Sequence, residues 1–157
     1  MIKILFVCHG NICRSPMAEF ILKDLVTKQN IADRFYIASA ATSTEEIWNG
    51  IGNPVYPPAR EELAKHGISC EGKRAVQLCK EDYDTYDYLI GMDSMNIRNI
   101  ERMTGHKGEK IYMLLQFSGS TRSISDPWYS GDFGATYRDV LEGCQGLLKY
   151  LKKEGKI

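Results

Sequence analysis

The N-terminal segment constrains the fold more than any other part of the chain. Residues 2–7 form a short, almost continuous apolar run that leads directly into the segment Cys8-His9-Gly10-Asn11-Ile12-Cys13-Arg14-Ser15. Such a run is typical of a buried strand in a parallel sheet. Helix signals follow at once, because Ser15 can act as an N-cap and Pro16 suits a first turn. The sequence therefore predicts a strand, a tight loop and a helix in immediate succession.

The rest of the chain continues this alternation of strand and helix. Residues 35–38, 86–92 and 110–115 are predicted strands, and Asp93 is a good N-cap for a helix that reaches about Met103. A C-terminal helix is predicted from apolar residues at steps of three and four, although two glycines weaken it locally. The apolar residues are Tyr137, Val140, Leu141, Cys144, Leu147, Leu148 and Leu151, and the glycines are Gly143 and Gly146. The alternation predicts an α/β fold with a parallel sheet.

Two long segments, residues 41–58 and 116–134, show no clear periodicity. Both combine Gly, Pro, Ser and Thr with aromatic residues, and loops of this length in compact domains are usually functional. We therefore expect them to form the walls of a site. Trp48, Trp128 and Tyr129 lie in these segments, where they either line a slot for an aromatic ring or fill the core beneath the loops. The sequence favours neither reading.

Composition narrows the classes of partner. The 157 residues contain 20 Lys plus Arg and 20 Asp plus Glu, so no net charge draws the chain to nucleic acid or to an anionic membrane. No apolar run approaches the roughly 20 residues that span a bilayer, and the N-terminal run is too short for a secretory signal. We expect a single domain, residues 1–157, that is monomeric and cytoplasmic, with any anion site confined to a local region.

The five cysteines lack the paired spacing of zinc sites, so the sequence predicts reduced thiols and no metal centre. They are Cys8, Cys13, Cys70, Cys79 and Cys144. Only Cys8 follows a buried-strand pattern and has an arginine six positions later. A buried core thiol and a solvated arginine are the commoner fates of each residue type alone, but this conjunction argues against them.

The segment from Cys8 to Ser15 has the residue types needed for phosphate chemistry. A loop that feeds a helix N-terminus can turn several backbone N–H groups inward, and the helix dipole adds positive potential there. That potential favours a phosphate and also the thiolate form of Cys8. Arg14 offers a planar fork for two phosphoryl oxygens, which permits in-line displacement without a metal or cofactor. Gly10 allows close backbone approach, and Asn11 tolerates a left-handed conformation.

Read together with Pro16-Met17-Ala18-Glu19, this loop resembles the signature of the low-molecular-weight protein tyrosine phosphatases. The resemblance covers essentially the whole chain and includes further motifs in the expected order: Ser39-Ala40-Ala41-Thr42, Trp48, His66-Gly67-Ile68, Asp93 with Asn96, and Asp126-Pro127-Trp128-Tyr129. It implies a three-layer, flavodoxin-like fold with a central four-stranded parallel sheet flanked by helices. It also implies a site at the carboxyl end of the first strand, where such sheets bind ligands.

The resemblance assigns a role to each candidate residue. It implies Cys8 as nucleophile, Arg14 as phosphate binder and Asp126 as general acid and base, acting on phosphotyrosine in proteins or on small aryl phosphates. The implied binding residues are His9, Gly10, Asn11, Ile12, Cys13, Arg14, Ser15, Trp48, Trp128 and Tyr129. Two positions depart from the family pattern, since His9 replaces an apolar residue and Ala41 replaces a glycine.

Three alternative functions, and the role of Cys13, remain open at this point. An arsenate reductase would use a similar loop with two further redox cysteines, for which Cys70 and Cys79 are available. A protein-arginine phosphatase would also fit, although such enzymes typically have threonine where Ile12 stands. A phosphopeptide-binding module without catalysis is a third possibility. Finally, Cys13 either forms a protective disulfide with Cys8 or is a small apolar filler.

Overall fold

The computed structural model describes all of residues 1–157. Its centre is a parallel sheet of four strands in the order β2-β1-β5-β6. A separate antiparallel hairpin is formed by β3 and β4. The strands are β1 (Ile2–Cys8), β2 (Phe35–Ala41), β3 (Ile47–Trp48), β4 (Ile51–Gly52), β5 (Tyr88–Gly91) and β6 (Ile111–Met113).

Six α-helices surround the sheet. They are α1 (Arg14–Lys28), α2 (Pro57–Lys65), α3 (Asp82–Thr85), α4 (Ser94–Thr104), α5 (Pro127–Ser130) and α6 (Phe133–Lys153), with short 3₁₀ turns at Ala32–Arg34 and Leu114–Ser118. None of these helices has the length and apolar character needed to cross a bilayer.

Strand β1 separates two apolar layers because its side chains alternate between the faces of the sheet. Ile4, Phe6 and Cys8 join the larger core with α1 and α6, whereas Leu5 and Val7 join the smaller core with α3 and α4. Each fully buried side chain of this size contributes about 1.5–3 kcal/mol. The predicted three-layer, flavodoxin-like architecture is therefore confirmed, and Cys8 lies at the end of β1 on the α1 face.

The register of the parallel strands brings several loops to one edge of the sheet. Cys8 pairs with Ala41 at the end of β2, and Val7 pairs with Gly91 at the end of β5. The residues that follow these strands therefore meet at the carboxyl edge. Asp93, two residues beyond β5, caps α4 as predicted: its Oδ1 accepts the N–H of Asn96 at 2.7 Å.

Several element boundaries differ from the sequence predictions. Strand β2 continues beyond residue 38 to Ala41, β5 is shorter than residues 86–92, and residues 114–115 belong to a 3₁₀ turn rather than to β6. The unassigned segments 41–58 and 116–134 contain the β3–β4 hairpin and α5, respectively. Helix α1 begins at Arg14, so the prediction of Ser15 as N-cap was wrong; its hydroxyl bonds elsewhere.

Helix α6 packs tightly against the 3₁₀ turn at Leu114–Ser118. A Cβ atom at Gly143 would lie 2.4 Å from Leu114 Cγ, and one at Gly146 would lie 2.5 Å from the carbonyl oxygen of Phe117. Both distances are too short for a real contact, so only glycine permits this approach. The two glycines that weaken the helix locally therefore allow it to dock.

Candidate active site

The loop of residues 8–15, here named the anion loop, leaves its backbone donors without partners. The carbonyl oxygens of Cys8, His9 and Ile12 accept N–H groups from Thr42, Ser43 and Tyr56, at 2.9, 3.0 and 2.9 Å. By contrast, the N–H groups of residues 9–14 donate to no acceptor in the protein. Unpaired buried N–H groups are rare, and several in one loop at a helix N-terminus form an anion-binding site.

Asn11 fixes the shape of the anion loop. It has a φ of 58°, the left-handed conformation predicted from the sequence, and it is almost fully buried. Its Nδ2 donates to Ser15 Oγ at 2.8 Å and to Ser39 Oγ at 3.0 Å, while its Oδ1 accepts the N–H of Val76 at 3.1 Å. The side chain therefore ties the loop to β2 and to the segment before α3.

The hydrogen-bond chain through Asn11 orients the hydroxyl group beside Cys8. Ser39 Oγ donates to the carboxylate of Glu19 at 2.6 Å and so accepts from Asn11. Ser15 Oγ likewise accepts from Asn11, and it lies 3.0 Å from Cys8 Sγ in a hydrogen bond for which either atom can be the donor. A hydroxyl that donates to sulfur stabilises the thiolate, which is the nucleophilic form of cysteine.

Two lysines balance the buried charge of Glu19. Lys23 Nζ lies 2.6 Å from its Oε2, and Lys73 Nζ lies 3.5 Å from its Oε1. Lys73 also donates to the carbonyl oxygen of Ser39 at 2.9 Å. Burial lowers the pKa of Lys73, and the neighbouring Glu19 only partly offsets this effect. The Glu19 carboxylate, at the end of the hydrogen-bond chain that starts at Cys8, is thus bound by two lysine side chains, one at each carboxylate oxygen.

Arg14 is buried and held in place by groups from distant segments. Its Nη1 donates to Asp93 Oδ2 at 2.7 Å and to the carbonyl oxygen of Ile124 at 2.9 Å. Its Nη2 lies 3.5 Å from Asp126 Oδ2. Burial opposes the charge of Arg14, but Cys8, Asp93 and Asp126 outweigh it, so the pKa of the guanidinium is raised. The fork is therefore positively charged and fixed in direction.

Asp126 lies beside Arg14, although it comes from a separate segment of the chain. It caps the short helix α5, because its Oδ1 accepts the N–H of Trp128 at 3.0 Å. This bond orients the carboxylate toward Arg14. The structure thus brings Cys8, Arg14 and Asp126 together, although Asp126 is more than a hundred residues away in sequence.

A cleft of about 120 Å³ opens above the anion loop. It is lined by His9, Gly10, Ile12, Cys13, Arg14, Glu45, Glu46, Asp126, Trp128 and Tyr129. Cys8 is only 3% exposed and, like Asn11 and Ser15, is not among the lining residues, although its neighbours His9 and Gly10 are. A larger cavity of about 620 Å³ runs past Cys70 between α2 and the following loop, but it contains neither Arg14 nor Asp126.

The three predicted aromatic residues do not lie in the same place. Trp128 and Tyr129 line the cleft and are 54% and 86% exposed, so they do not fill the core. Trp128 packs on Tyr56, with ring centroids 4.8 Å apart. Trp48 is 82% exposed on β3 and is not part of the cleft lining. Both exposed aromatic side chains of the cleft lining therefore come from the segment that also carries Asp126.

The remaining cysteines differ from Cys8 in their surroundings. All five are free thiols. Burial and then the charge of Cys8 raise the pKa of Cys13 to about 12, so Cys13 is a neutral thiol at physiological pH. Cys70 and Cys79, the pair available for arsenate reduction, do not line the cleft. The fold has no group of three or more His, Cys, Asp or Glu side chains positioned to hold a metal ion.

Sequence reasoning missed the residues that support the anion loop. Asp93 was predicted only as a helix cap, yet it also holds Arg14, and the linked roles of Glu19, Ser39 and Lys73 were not predicted. One signal was available for Asp93. It directly follows a predicted parallel strand, and the carboxyl ends of such strands meet at one edge of the sheet.

Comparison with known proteins gives a consistent family. The family model described as low molecular weight phosphotyrosine protein phosphatase matches residues 3–157. The low molecular weight protein-tyrosine-phosphatase YfkJ of Bacillus subtilis is 38% identical over 160 residues, which covers 100% of each chain. The crystal structure of YfkJ has a TM-score of 0.90 at 39% identity, covering 98% of this chain and 96% of that one.

Two further relatives widen the comparison. The low molecular weight phosphotyrosine protein phosphatase of Rattus norvegicus is 38% identical over 153 residues, which covers 94% of each chain. The crystal structure of a Drosophila arginine phosphatase is 31% identical, with a TM-score of 0.85, and covers 96% of this chain and 98% of that one. The match over nearly the whole sequence shows that the chain belongs to the low molecular weight phosphotyrosine protein phosphatase family.

Proposed function

We propose that this chain is a protein tyrosine phosphatase that hydrolyses phosphotyrosine through a phosphocysteine on Cys8. The observation that carries the proposal is that the N–H groups of residues 9–14, in the loop that joins Cys8 to the N-terminus of α1, donate to no acceptor in the protein. These donors and Arg14 supply positive potential for the three equatorial oxygens of a phosphoryl group. Family membership supports the same reaction.

In the first step, Cys8 Sγ attacks phosphorus in line with the leaving oxygen. A sulfur–phosphorus bond forms as the phosphorus–oxygen bond to the tyrosine ring breaks. Asp126, carrying a proton at this stage, donates it to the departing phenolate oxygen. Arg14 Nη2 binds a phosphoryl oxygen in place of its 3.5 Å contact with Asp126, while the Nη1 bonds to Asp93 and Ile124 keep the guanidinium where it is.

In the second step, water hydrolyses the phosphocysteine. Asp126, now a carboxylate, takes a proton from the water molecule as the water oxygen attacks phosphorus. The sulfur–phosphorus bond breaks, inorganic phosphate leaves, and Cys8 returns as a thiolate stabilised by the hydroxyl of Ser15. The reaction needs no other reactant than water.

Turnover by a Cys8→Ser variant tests the proposal. We expect the rate on 4-nitrophenyl phosphate and on a phosphotyrosine peptide to fall by at least about a thousandfold, because a serine hydroxyl is a much weaker nucleophile than a cysteine sulfur. Cys79→Ser is the matched control: Cys79 is exposed and lies outside the cleft, so this variant keeps its activity. Retained activity in Cys8→Ser would contradict the proposal.

Phosphoarginine is the second candidate substrate, because an arginine phosphatase is 31% identical with the same fold. Ile12 argues against it, since this apolar side chain lines the cleft and packs with Cys13 and Ala75. We expect wild type to prefer a phosphotyrosine peptide over a phosphoarginine peptide, and Ile12→Thr to reduce that preference. A wild-type preference for phosphoarginine would reverse the assignment.

We further propose that residues 1–157 act as one catalytic domain, monomeric and cytoplasmic. The free cysteines support the location, because a nucleophilic thiol must stay reduced. Fluorescence microscopy of a tagged protein and light scattering of the purified chain test these two points.

A further inference from the structure

The mouth of the cleft is acidic, in contrast to its floor. Arg14 lies at the floor, whereas Glu45 and Glu46 line the wall next to the β3–β4 hairpin. Glu45 Oε2 lies 3.0 Å from His9 Nε2, and Glu46 has no lysine, arginine or histidine within ion-pair distance. We refer to Glu45 and Glu46 as the acidic rim.

Glu46 is held over the anion loop rather than extended into solvent. It is half-buried, and its Oε1 accepts from Asn53 Nδ2 at 3.2 Å. A Cβ atom at Gly10 would lie 3.3 Å from Glu46 Cγ, so the Glu46 side chain packs against the loop at its glycine. The negative charge therefore stays at the edge of the cleft.

The depth of Cys8 separates the phosphotyrosine from its neighbours in a substrate. The aromatic ring must enter the cleft to reach Cys8, whereas the residues before and after the phosphotyrosine remain at the mouth. A cation on a neighbouring residue is attracted to the acidic rim, and a carboxylate there is repelled. The anion loop cannot make this distinction, because every substrate presents the same phosphate to it.

We propose that Glu45 and Glu46 make the enzyme select phosphotyrosine sites flanked by lysine or arginine over sites flanked by aspartate or glutamate. This proposal rests on the proposed phosphatase function and names its substrate class. Exposed ion pairs change an equilibrium by about two- to fivefold each, so two carboxylates give a difference of about tenfold between oppositely charged peptides. The preference should shrink in 1 M salt, where the Debye length is about 3 Å.

Three phosphotyrosine peptides that differ only in the flanking residues, lysine, serine or glutamate, test the proposal. We expect kcat/KM of the wild-type enzyme at low salt to fall in that order, with a lysine-to-glutamate ratio of about ten. Glu46→Gln should lower this ratio about two- to threefold, and the double variant Glu45→Gln with Glu46→Gln should bring it close to one. Using the ratio cancels any change in the chemical step.

Glu154→Gln is the matched control, because it removes the same charge far from the cleft. Glu154 follows α6 and lies near Tyr88, at the start of β5 and thus at the opposite edge of the sheet. It should leave the ratio unchanged. Equal kcat/KM values for the three peptides, or an unchanged ratio in the double variant, would overturn the proposal while the phosphatase function stands. Failure to hydrolyse the peptides and 4-nitrophenyl phosphate would overturn both.

Discussion

The anion loop and the aromatic residues near the cleft are built in opposite ways. In the loop, Asn11 and Arg14 are buried, and each makes hydrogen bonds to segments distant in sequence. Trp48, Trp128 and Tyr129 are largely exposed. The difference indicates that the anion loop is held in place by the rest of the fold, whereas the aromatic side chains are not packed into it. Changes to the loop should therefore alter kcat, and changes to Trp128 and Tyr129, the two aromatic residues that line the cleft, should alter KM.

The largest expected effect is a difference in reactivity toward alkylation between two thiols that are similarly buried, Cys8 at 3% and Cys13 at 5% exposure. Burial and the charge of Cys8 raise the pKa of Cys13 to about 12 from 9.0, so its reactive thiolate fraction at pH 8 falls about a thousandfold. We expect iodoacetate at pH 8 to modify Cys8, abolish activity and leave Cys13 unmodified, as measured by peptide mass spectrometry. Inorganic phosphate should slow the modification. Equal labelling of both cysteines would show that the loop does not distinguish them.

Asp126 contacts Arg14 of the anion loop and precedes the aromatic residues of the cleft, and the Asp126→Asn variant tests its role as general acid. Asparagine can still accept the N–H of Trp128, so the cap of α5 is retained while the acid is lost. We expect turnover of phenyl phosphate to fall about a hundredfold, because its leaving group needs a proton, with a much smaller loss on 4-nitrophenyl phosphate. Steady-state kinetics on both substrates provide the measurement. An equal loss on both would exclude Asp126 as general acid.

Substitutions of Asn11 separate backbone conformation from hydrogen bonding. Asn11→Gly keeps the left-handed φ but loses the bonds to Ser15, Ser39 and Val76, so kcat should fall about tenfold as the loop loosens. Asn11→Ala loses the same bonds and adds a conformational cost of about 1–2 kcal/mol. The free energy of unfolding measured with urea should therefore decrease from wild type to Asn11→Gly and again to Asn11→Ala. Wild-type kcat in the glycine variant would mean that the bonds have no part in activity.

The smallest effect is expected for the aromatic residues. Trp128→Ala should raise KM for a phosphotyrosine peptide about three- to fivefold through lost ring contact, with little change in kcat. Trp48→Ala is the comparison, because Trp48 lies outside the cleft lining, and it should leave KM for the same phosphotyrosine peptide unchanged. If Trp48→Ala raised that KM as much as Trp128→Ala, the β3–β4 hairpin would have to close over bound substrate.

Local signals explain what the sequence could predict of the fold. β1, the Asp93 cap of α4 and the apolar stripe of α6 are all encoded within a few neighbouring residues, and they were confirmed. Helix α2 was missed, although Pro57 at its start is compatible with a first turn. Its stripe is weak, since only Ala59 and Leu63 are buried, and the surrounding turn residues obscured it.

In the candidate site, too, the parts encoded by neighbouring residues could be predicted, and the contacts between distant residues could not. Cys8 and Arg14 belong to one continuous motif, whereas Asp126 was placed only through family resemblance. The supporting contacts of Arg14 with Asp93 and Ile124 join residues 79 and 110 positions apart. No local pattern encodes such pairs, because they depend on which strands become neighbours in the sheet.

The glycines of α6 set a limit on engineering this protein for heat resistance. Replacing helix glycines with alanine is a common route to greater stability, since it gains up to about 1 kcal/mol of helix propensity per position. At Gly143 and Gly146 the added methyl group would meet Leu114 and the backbone of Phe117. A thermostabilised version would therefore have to leave both positions untouched and seek its gains on the solvent-facing side of the helix.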